Sequence, residues 1–232
     1  MTGQGLSSRV VSGPVGLLDR VWAAECDSPT VFSSMALINP GIGFVRIGGT
    51  TTVHLRGPAT KASPLSCPPD AEYFGVDFRL GAYLPMFPPA GLANLQDALL
   101  PVLPDKRILL DGRSWEMPTE QNVDVFVEHL ERAGLLVFDP LVEELRHGGA
   151  VSGVPERTAQ HRFARAVGLS RRTMQVIERA RHAAALLRAG ATIADVVVAA
   201  GYYDQPHLTR SLRRLIGHAP TEIVRADVFL DL

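Results

Sequence analysis

The residues best suited to chemistry lie near the C-terminus, in residues 201–220, which read GYYDQPHLTRSLRRLIGHAP. Three leucines recur there at helical spacing and predict a buried stripe on one side of a helix: Leu208, Leu212 and Leu215. Asp204 can cap this helix, and Gly217 and Pro220 can stop it. The arginines lie off the stripe, so the segment predicts a short basic helix with a free front face. Such a helix can enter a DNA major groove.

The alternative is a basic helix without a binding role, because a charged helix face is usually only exposed to solvent. The preceding segment favours DNA. Residues 192–195 form a possible capping box, and an apolar face follows it: Ile193, Val196, Val197 and Ala200. A turn at residues 201–203 then leads into the basic helix. A helix, a short glycine turn and a second helix make up the helix-turn-helix pattern.

One run of residues carries a resemblance to a known family: Ile193, Gly201, Asp204, His207, Arg210, Gly217 and Pro220. The run resembles the signature of AraC-type transcriptional regulators, densely over the C-terminal third and more weakly back to about Thr119. It departs from the family at Leu208 and Leu212, where Phe is usual. It also departs at Val197, where a small Ala is usual because the two helices approach closely.

The resemblance implies another unit of the same plan earlier in the chain, since AraC-type domains carry two. Residues 163–168 echo residues 212–217 at an offset of 49 positions, which predicts the first unit over about 139–168. Between the units, residues 170–189 predict a helix that Ser170 caps. Twenty helical residues span roughly 30 Å, and one turn of DNA spans about 34 Å. A single chain could therefore place two recognition helices in successive major grooves.

Only side chains on the exposed face near the start of a recognition helix can reach base edges. Arg210 is expected to contact guanine, because a guanidinium matches its O6 and N7 atoms. His207 is expected to hold the turn rather than read bases, and His161 stands where the family more often has Arg. The predicted DNA-binding residues are Arg157, Gln160, His161, Gln205, Thr209, Arg210, Arg213 and Arg214, of which Arg213 and Arg214 are better placed for phosphates.

The distribution of charge supports nucleic-acid binding, although the net charge of the 232-residue chain is only −1. Residues 155–225 contain twelve arginines and five acidic residues, a net charge of +7 that leaves −8 for the rest. Every basic residue of the segment is Arg, which suits bidentate phosphate and guanine contacts. A basic end on a near-neutral chain is typical of a nucleic-acid-binding protein.

The N-terminal half is predicted to be β-rich, a small sandwich or barrel. Residues 42–47 and 50–56 flank Gly48-Gly49 and predict a hairpin, and residues 72–80 alternate between apolar and polar side chains. Residues 1–13 predict a loose tail. Helical periodicity begins near Thr119, which is expected to cap the first helix.

The fold class is therefore predicted as α+β. Residues 1–118 are expected to form a β-rich domain that resembles, in arrangement, the sensor domains joined to AraC-type DNA-binding domains. Residues 119–232 are expected to form an all-α domain with two helix-turn-helix units joined by a long helix. Five side chains are candidates for lining an effector site, with core edge or surface as the alternative: Arg46, His54, Tyr73, Arg79 and Trp115.

The sequence offers no catalytic motif, so no enzymatic activity, cofactor or metal is expected. Cys26 and Cys67 have no metal spacing and are expected to be reduced thiols. Two cysteines also exclude the four-cysteine cluster of the repair domains that are joined to AraC-type helices. The alternative function is a redox- or metabolite-responsive protein, its N-terminal domain carrying a small-molecule or enzymatic activity and its C-terminus a DNA anchor.

The expected function is sequence-specific DNA-binding transcriptional regulation in the cytoplasm, modulated by the N-terminal domain. The sequence has neither a signal peptide pattern nor an apolar run of membrane-spanning length. Candidate partners are double-stranded DNA, RNA polymerase, a small-molecule effector and a second copy of the chain, and no membrane is expected.

Overall fold

The computed structural model describes residues 2–3, 5–95, 98–146, 153–225 and 228–230. Strands dominate the first part of the chain: β1 (Thr2–Gly3), β2 (Leu6–Ser12), β3 (Leu18–Cys26), β4 (Thr30–Ser34), β5 (Gly41–Ile47), β6 (Thr50–Arg56), β7 (Ser63–Cys67), β8 (Ala71–Phe78), β9 (Ala82–Tyr83), β10 (Ala98–Leu100), β11 (Ile108–Leu110), β12 (Arg113–Trp115) and β13 (Val137–Phe138). Helices dominate the second: α1 (Pro89–Leu92), α2 (Val123–Arg132), α3 (Leu141–Arg146), α4 (Glu156–Val167), α5 (Arg171–Arg188), α6 (Ile193–Ala199), α7 (Gln205–Leu215) and α8 (Pro220–Val224). The α+β class is confirmed.

An antiparallel sheet in the order β1-β2-β3-β8-β5-β6-β10 forms the main layer of the N-terminal part. The predicted hairpin of β5 and β6 is confirmed, and Gly48 and Gly49 take the positive φ angles of 55° and 80° that its turn requires. The expectation of a loose N-terminal tail is wrong. Strand β2 pairs with β3, and Leu6 is buried because its side chain packs against the end of that strand.

The described residues contain two large apolar cores. The sheet core lies between one face of the main sheet and α2, which contributes Val123, Phe126, Val127 and Leu130. The helical core joins α3 to α8 and takes in side chains from the N-terminal part, among them Met35 and Leu80. Helix α2 therefore packs with the sheet rather than with the other helices, and the domain boundary at residue 118 stays a prediction.

Helix α2 begins later than the sequence indicates. It starts at Val123 with Asn122 at its N-cap position, so the expectation that Thr119 caps it is wrong. The backbone N–H of Thr119 instead donates to Oδ1 of Asn122 at 2.7 Å, because residues 119–122 form a local turn that precedes the helix.

A two-stranded ribbon, formed by β4 and β7, is separate in its pairing from the main sheet. A disulfide between Cys26, at the end of β3, and Cys67, at the end of β7, joins the two, with the Cα atoms 6.3 Å apart. The expectation of two reduced thiols is therefore wrong. A separation of 41 residues along the chain gave no sign that the ends of these strands meet.

Candidate nucleic-acid interface

Helices α6 and α7 form the second predicted helix-turn-helix unit, and local hydrogen bonds fix its ends. The side chain of Thr192 caps α6 by accepting from the N–H of Asp195 at 3.2 Å. Gly201 takes φ +66° in the turn, where a residue with a Cβ would be strained. Asp204 caps α7 by accepting from the N–H of His207 at 2.6 Å. Both caps that the sequence predicts for this unit are therefore confirmed.

The back face of α7 is buried as the leucine spacing predicts. Leu208 and Leu212 are fully buried, and Leu215 is 3 % exposed. Burying a leucine side chain stabilises a fold by about 1.5–3 kcal/mol. This face packs against α5 within the helical core, so the orientation of α7 is fixed from behind.

The front face of α7 carries the arginines. Arg210, Arg213 and Arg214 are exposed, and none of the three guanidinium groups has an ion pair or hydrogen bond with another side chain of the described residues. The hydroxyl of Thr209 donates to the carbonyl of Gln205 at 2.9 Å, which leaves its lone pairs for a further contact. The helix thus presents cationic donors on one side.

His207 holds the turn, as expected. Its Nδ1 atom accepts from the backbone N–H of Tyr203 at 3.4 Å, and its ring meets the ring of Tyr202 edge to face at 5.0 Å. Tyr203 lies in the same turn, and the sequence analysis did not single it out. It is 90 % exposed and lies directly before the cap of α7.

The first unit consists of α3 and α4, which pack against each other. Arg157, Gln160 and His161 are all exposed on α4, and Gln160 Nε2 donates to Oε1 of Glu156 at 3.0 Å. The side chain of Arg162 donates to both carboxylate oxygens of Asp139, at 2.9 and 2.5 Å. This pair ties α4 to the start of α3.

Helix α5 separates the two units. It has 18 residues, which corresponds to a length of about 27 Å. Ser170 caps it by accepting from the N–H of Thr173 at 3.1 Å, as expected. Met174, Ile177 and Ala180 are fully buried in the helical core, so α5 is held along its length.

The five candidate effector residues do not all lie together in the N-terminal part. His54 and Tyr73 share one face of the sheet, because they pair with Gly43 and Val45, which lie two residues apart on β5. The Nε2 atom of His54 lies 2.8 Å from the hydroxyl of Thr52. Burial raises the pKa of Tyr73 above its usual value.

The other three candidates lie elsewhere. Arg46 and Arg79 are half-exposed and form ion pairs, Arg46 with Glu72 and Arg79 with Glu143. Trp115 donates its indole N–H to a backbone carbonyl 3.2 Å away on the paired strand. The structure thus places two of the five on one sheet face, and a ligand-binding role for any of them stays a prediction.

A buried ion network lies on the same sheet face as His54, and the sequence reading did not find it. Asp77 is 6 % exposed and accepts hydrogen bonds from Arg20, at 2.8 Å, and from Arg56. The guanidinium of Arg56 also lies over the ring of Trp22, 4.9 Å from its centre. Alternation along β8 placed Asp77 opposite the apolar side chains, but its partners come from other strands.

Comparison with known proteins supports this interface. Residues 150–226 match the family model described as a helix-turn-helix domain. The comparison with curated proteins gave no match, and neither did the comparison with solved structures. Among the described residues, no helix combines the length and apolar character that a membrane crossing needs. Those residues also contain no cluster of three or more histidine, cysteine or acidic side chains able to hold a metal ion.

Proposed function

We propose that the chain is a DNA-binding transcription regulator of the AraC type whose two units read successive major grooves of one duplex. The match of residues 150–226 to a helix-turn-helix family model supports this proposal. The observation that carries the proposal is the front face of α7, with three exposed arginines that lack partners among the described residues. Helix α5 supports it, since a held spacer of about 27 Å approaches the length of one DNA turn.

The contacts divide by chemistry. Arg210 lies among the first six residues of α7 and contacts a guanine edge, while Arg213 and Arg214 lie in the last turn and contact phosphates. Gln205 and Thr209 complete the base-reading set at the start of the helix. In the first unit the matching contacts come from three residues of α4: Arg157, Gln160 and His161.

The N-terminal part modulates DNA binding through the ribbon. The last turn of a helix leaves its carbonyls without helical partners. On α7 two of these carbonyls accept hydrogen bonds from residues that flank the ribbon. The carbonyl of Leu215 accepts from the N–H of Ala36 at 2.7 Å, and the carbonyl of Arg214 accepts from the N–H of Ala62 at 2.8 Å. A displacement of the ribbon therefore moves the recognition helix or exposes its end.

Residues 1–118 are the part proposed to receive an effector, and residues 119–232 the part proposed to bind DNA. The five candidate effector residues belong to this proposal as positions to test individually. RNA polymerase and a second copy of the chain are proposed as further partners. Reading two grooves with one chain does not itself require a dimer.

The test is selection from sheared genomic DNA of the source organism at near-physiological salt, followed by sequencing of the retained fragments. Wild-type protein should enrich a few fragments that share two short motifs about one helical turn apart. Arg210→Ala should lose this enrichment. Arg132→Ala is the matched control, because Arg132 is an exposed arginine on α2 whose ion-pair partner is on the same helix.

Uniform, salt-sensitive retention by the wild-type protein would contradict specific reading. The C-terminal part would then be an electrostatic anchor, and the N-terminal part would carry the activity. Retention of the same motifs by Arg210→Ala would show that the recognition helix is wrongly placed.

A further inference from the structure

A cavity of about 360 Å³ lies where the N-terminal sheet meets the first helix-turn-helix unit. One wall comes from the sheet side, with Asp19 at the start of β3, Asn39 before β5 and Arg79 after β8. The other wall comes from α3, with Glu143 and Arg146. The volume falls in the lower part of the range of small-molecule sites.

Each wall carries one guanidinium group and one carboxylate. The sheet wall has Arg79 and Asp19, and the α3 wall has Arg146 and Glu143. A simple anion in the cavity would lie beside two carboxylates, and a simple cation beside two guanidinium groups. A molecule that carries both charges meets an opposite charge on either wall.

Three of these side chains have donors or acceptors that a ligand could use. Arg79 uses its Nη2 atom on Glu143, which leaves the donors on Nε and Nη1 unused within the described part of the chain. Asp19 is exposed and has no ion pair with any other described residue. Asn39 donates Nδ2 to the carbonyl of Phe78 at 2.8 Å, which leaves its Oδ1 atom as an acceptor.

We propose that this cavity binds a small zwitterion of the α-amino acid class. The ligand carboxylate binds the guanidinium groups of Arg79 and Arg146, and the ligand ammonium binds Asp19 and Oδ1 of Asn39. Val15, Leu18 and Leu80 supply apolar surface for the ligand side chain.

The position of the cavity gives this ligand a route to the DNA-binding part. Arg79 already forms an ion pair with Glu143 across the junction, and Arg146 forms one with Glu178 of α5 at 2.6 Å. An occupant held by both walls therefore fixes α3 against the sheet. The effect on DNA rests on the proposed function, but binding itself does not.

The experiment measures thermal unfolding of the full chain with each of the twenty amino acids at millimolar concentration. At least one should raise the melting temperature by about 5 °C at saturation. Acetate and methylammonium, each carrying one charge of the pair, should leave it unchanged. A responding amino acid is then titrated against DNA affinity in a separate assay, so that binding and regulation can fail independently.

Two variants test the walls. Asp19→Asn removes a charge from an exposed residue without an ion-paired partner among those described, so it should fold normally and bind the amino acid about tenfold or more weakly. Arg79→Gln should also weaken binding, whereas the control Arg132→Ala should respond as the wild type does. The proposal is overturned if no amino acid shifts the melting temperature, if acetate shifts it equally, or if Asp19→Asn keeps its affinity.

Discussion

Replacement of Gly217 by alanine tests whether the ribbon holds the recognition helix. Gly217 follows α7 with φ +90°, and a Cβ there would lie 2.7 Å from both Cβ and Oγ of Ser33 on the ribbon. Gly190 is a matched control in the helical part. Its φ is +94°, and a Cβ at this position would have no atom within 4 Å.

The two substitutions share one cost and differ in another. Placing an L-residue at a left-handed φ costs roughly 1–2 kcal/mol at either position. The close approach to Ser33 adds about 1–3 kcal/mol, the usual cost of overpacking. Gly190→Ala should therefore lower the free energy of unfolding by about 1–2 kcal/mol, and Gly217→Ala by about 2–5 kcal/mol.

Urea unfolding of the single and double variants measures the difference. Ser33→Gly removes the two nearest opposing atoms, and the next nearest is Cβ of Ala62, 3.3 Å from the added methyl group. In the Gly217→Ala background it should therefore restore about 1–3 kcal/mol as a coupling energy. It should restore nothing in the Gly190→Ala background. Equal losses at the two glycines, or no recovery with Ser33→Gly, would refute the contact between ribbon and recognition helix.

Reduction of the Cys26–Cys67 disulfide should lower the free energy of unfolding by about 2–4 kcal/mol, and alkylation under denaturing, non-reducing conditions should label neither cysteine; labelling of both would contradict the pairing. Burial lowers the pKa of His218 below its usual 6.5, against a raising effect of Glu222 and with a lowering effect of Arg188. The unfolded chain therefore binds a proton at this position more readily than the folded chain. The contribution of His218 to the free energy of unfolding is fully present above about pH 6.5 and declines below it. The urea midpoint should therefore fall more between pH 7.5 and 5.5 for wild type than for His218→Leu. Arg213→Ala should weaken binding to all DNA sequences alike and reduce the slope of log affinity against log salt by about 1; a sequence-dependent loss would move Arg213 from phosphate to base contact.

The helix-turn-helix unit was predictable because its signals are local. The 3.6-residue period of Leu208 and Leu212 sets the buried face of α7. Thr192 and Asp204 cap helices that begin at the next residue. Each signal acts within about one helical turn, so the sequence contains all of its parts side by side.

The N-terminal part depends on pairing between distant segments. Asp77 forms its ion pair with Arg20, 57 residues away, and alternation along β8 predicts a face but no partner. The disulfide of Cys26 with Cys67 depends in the same way on where two strands end. Strand register and sheet order determine these contacts, and neither can be predicted from one segment of the sequence alone.

The effector site is the least predictable part for a related reason. Residue type suggested Arg46, Tyr73 and Arg79 alike, since polar and aromatic side chains suit ligand contacts. The fold brings only Arg79 of these to the cavity at the junction. Its neighbours there, Asp19 and Glu143, come from β3 and α3, and no motif connects them.

Hydroxyl-radical footprinting on a fragment enriched by the wild-type protein tests whether one chain reads two successive major grooves. Wild-type protein should give two protected windows centred about 10 base pairs apart on one face of the duplex. Arg210→Ala should abolish the window read by α7 and leave the other in place. A single window, or two windows on opposite faces of the duplex, would contradict the reading of successive major grooves by one chain.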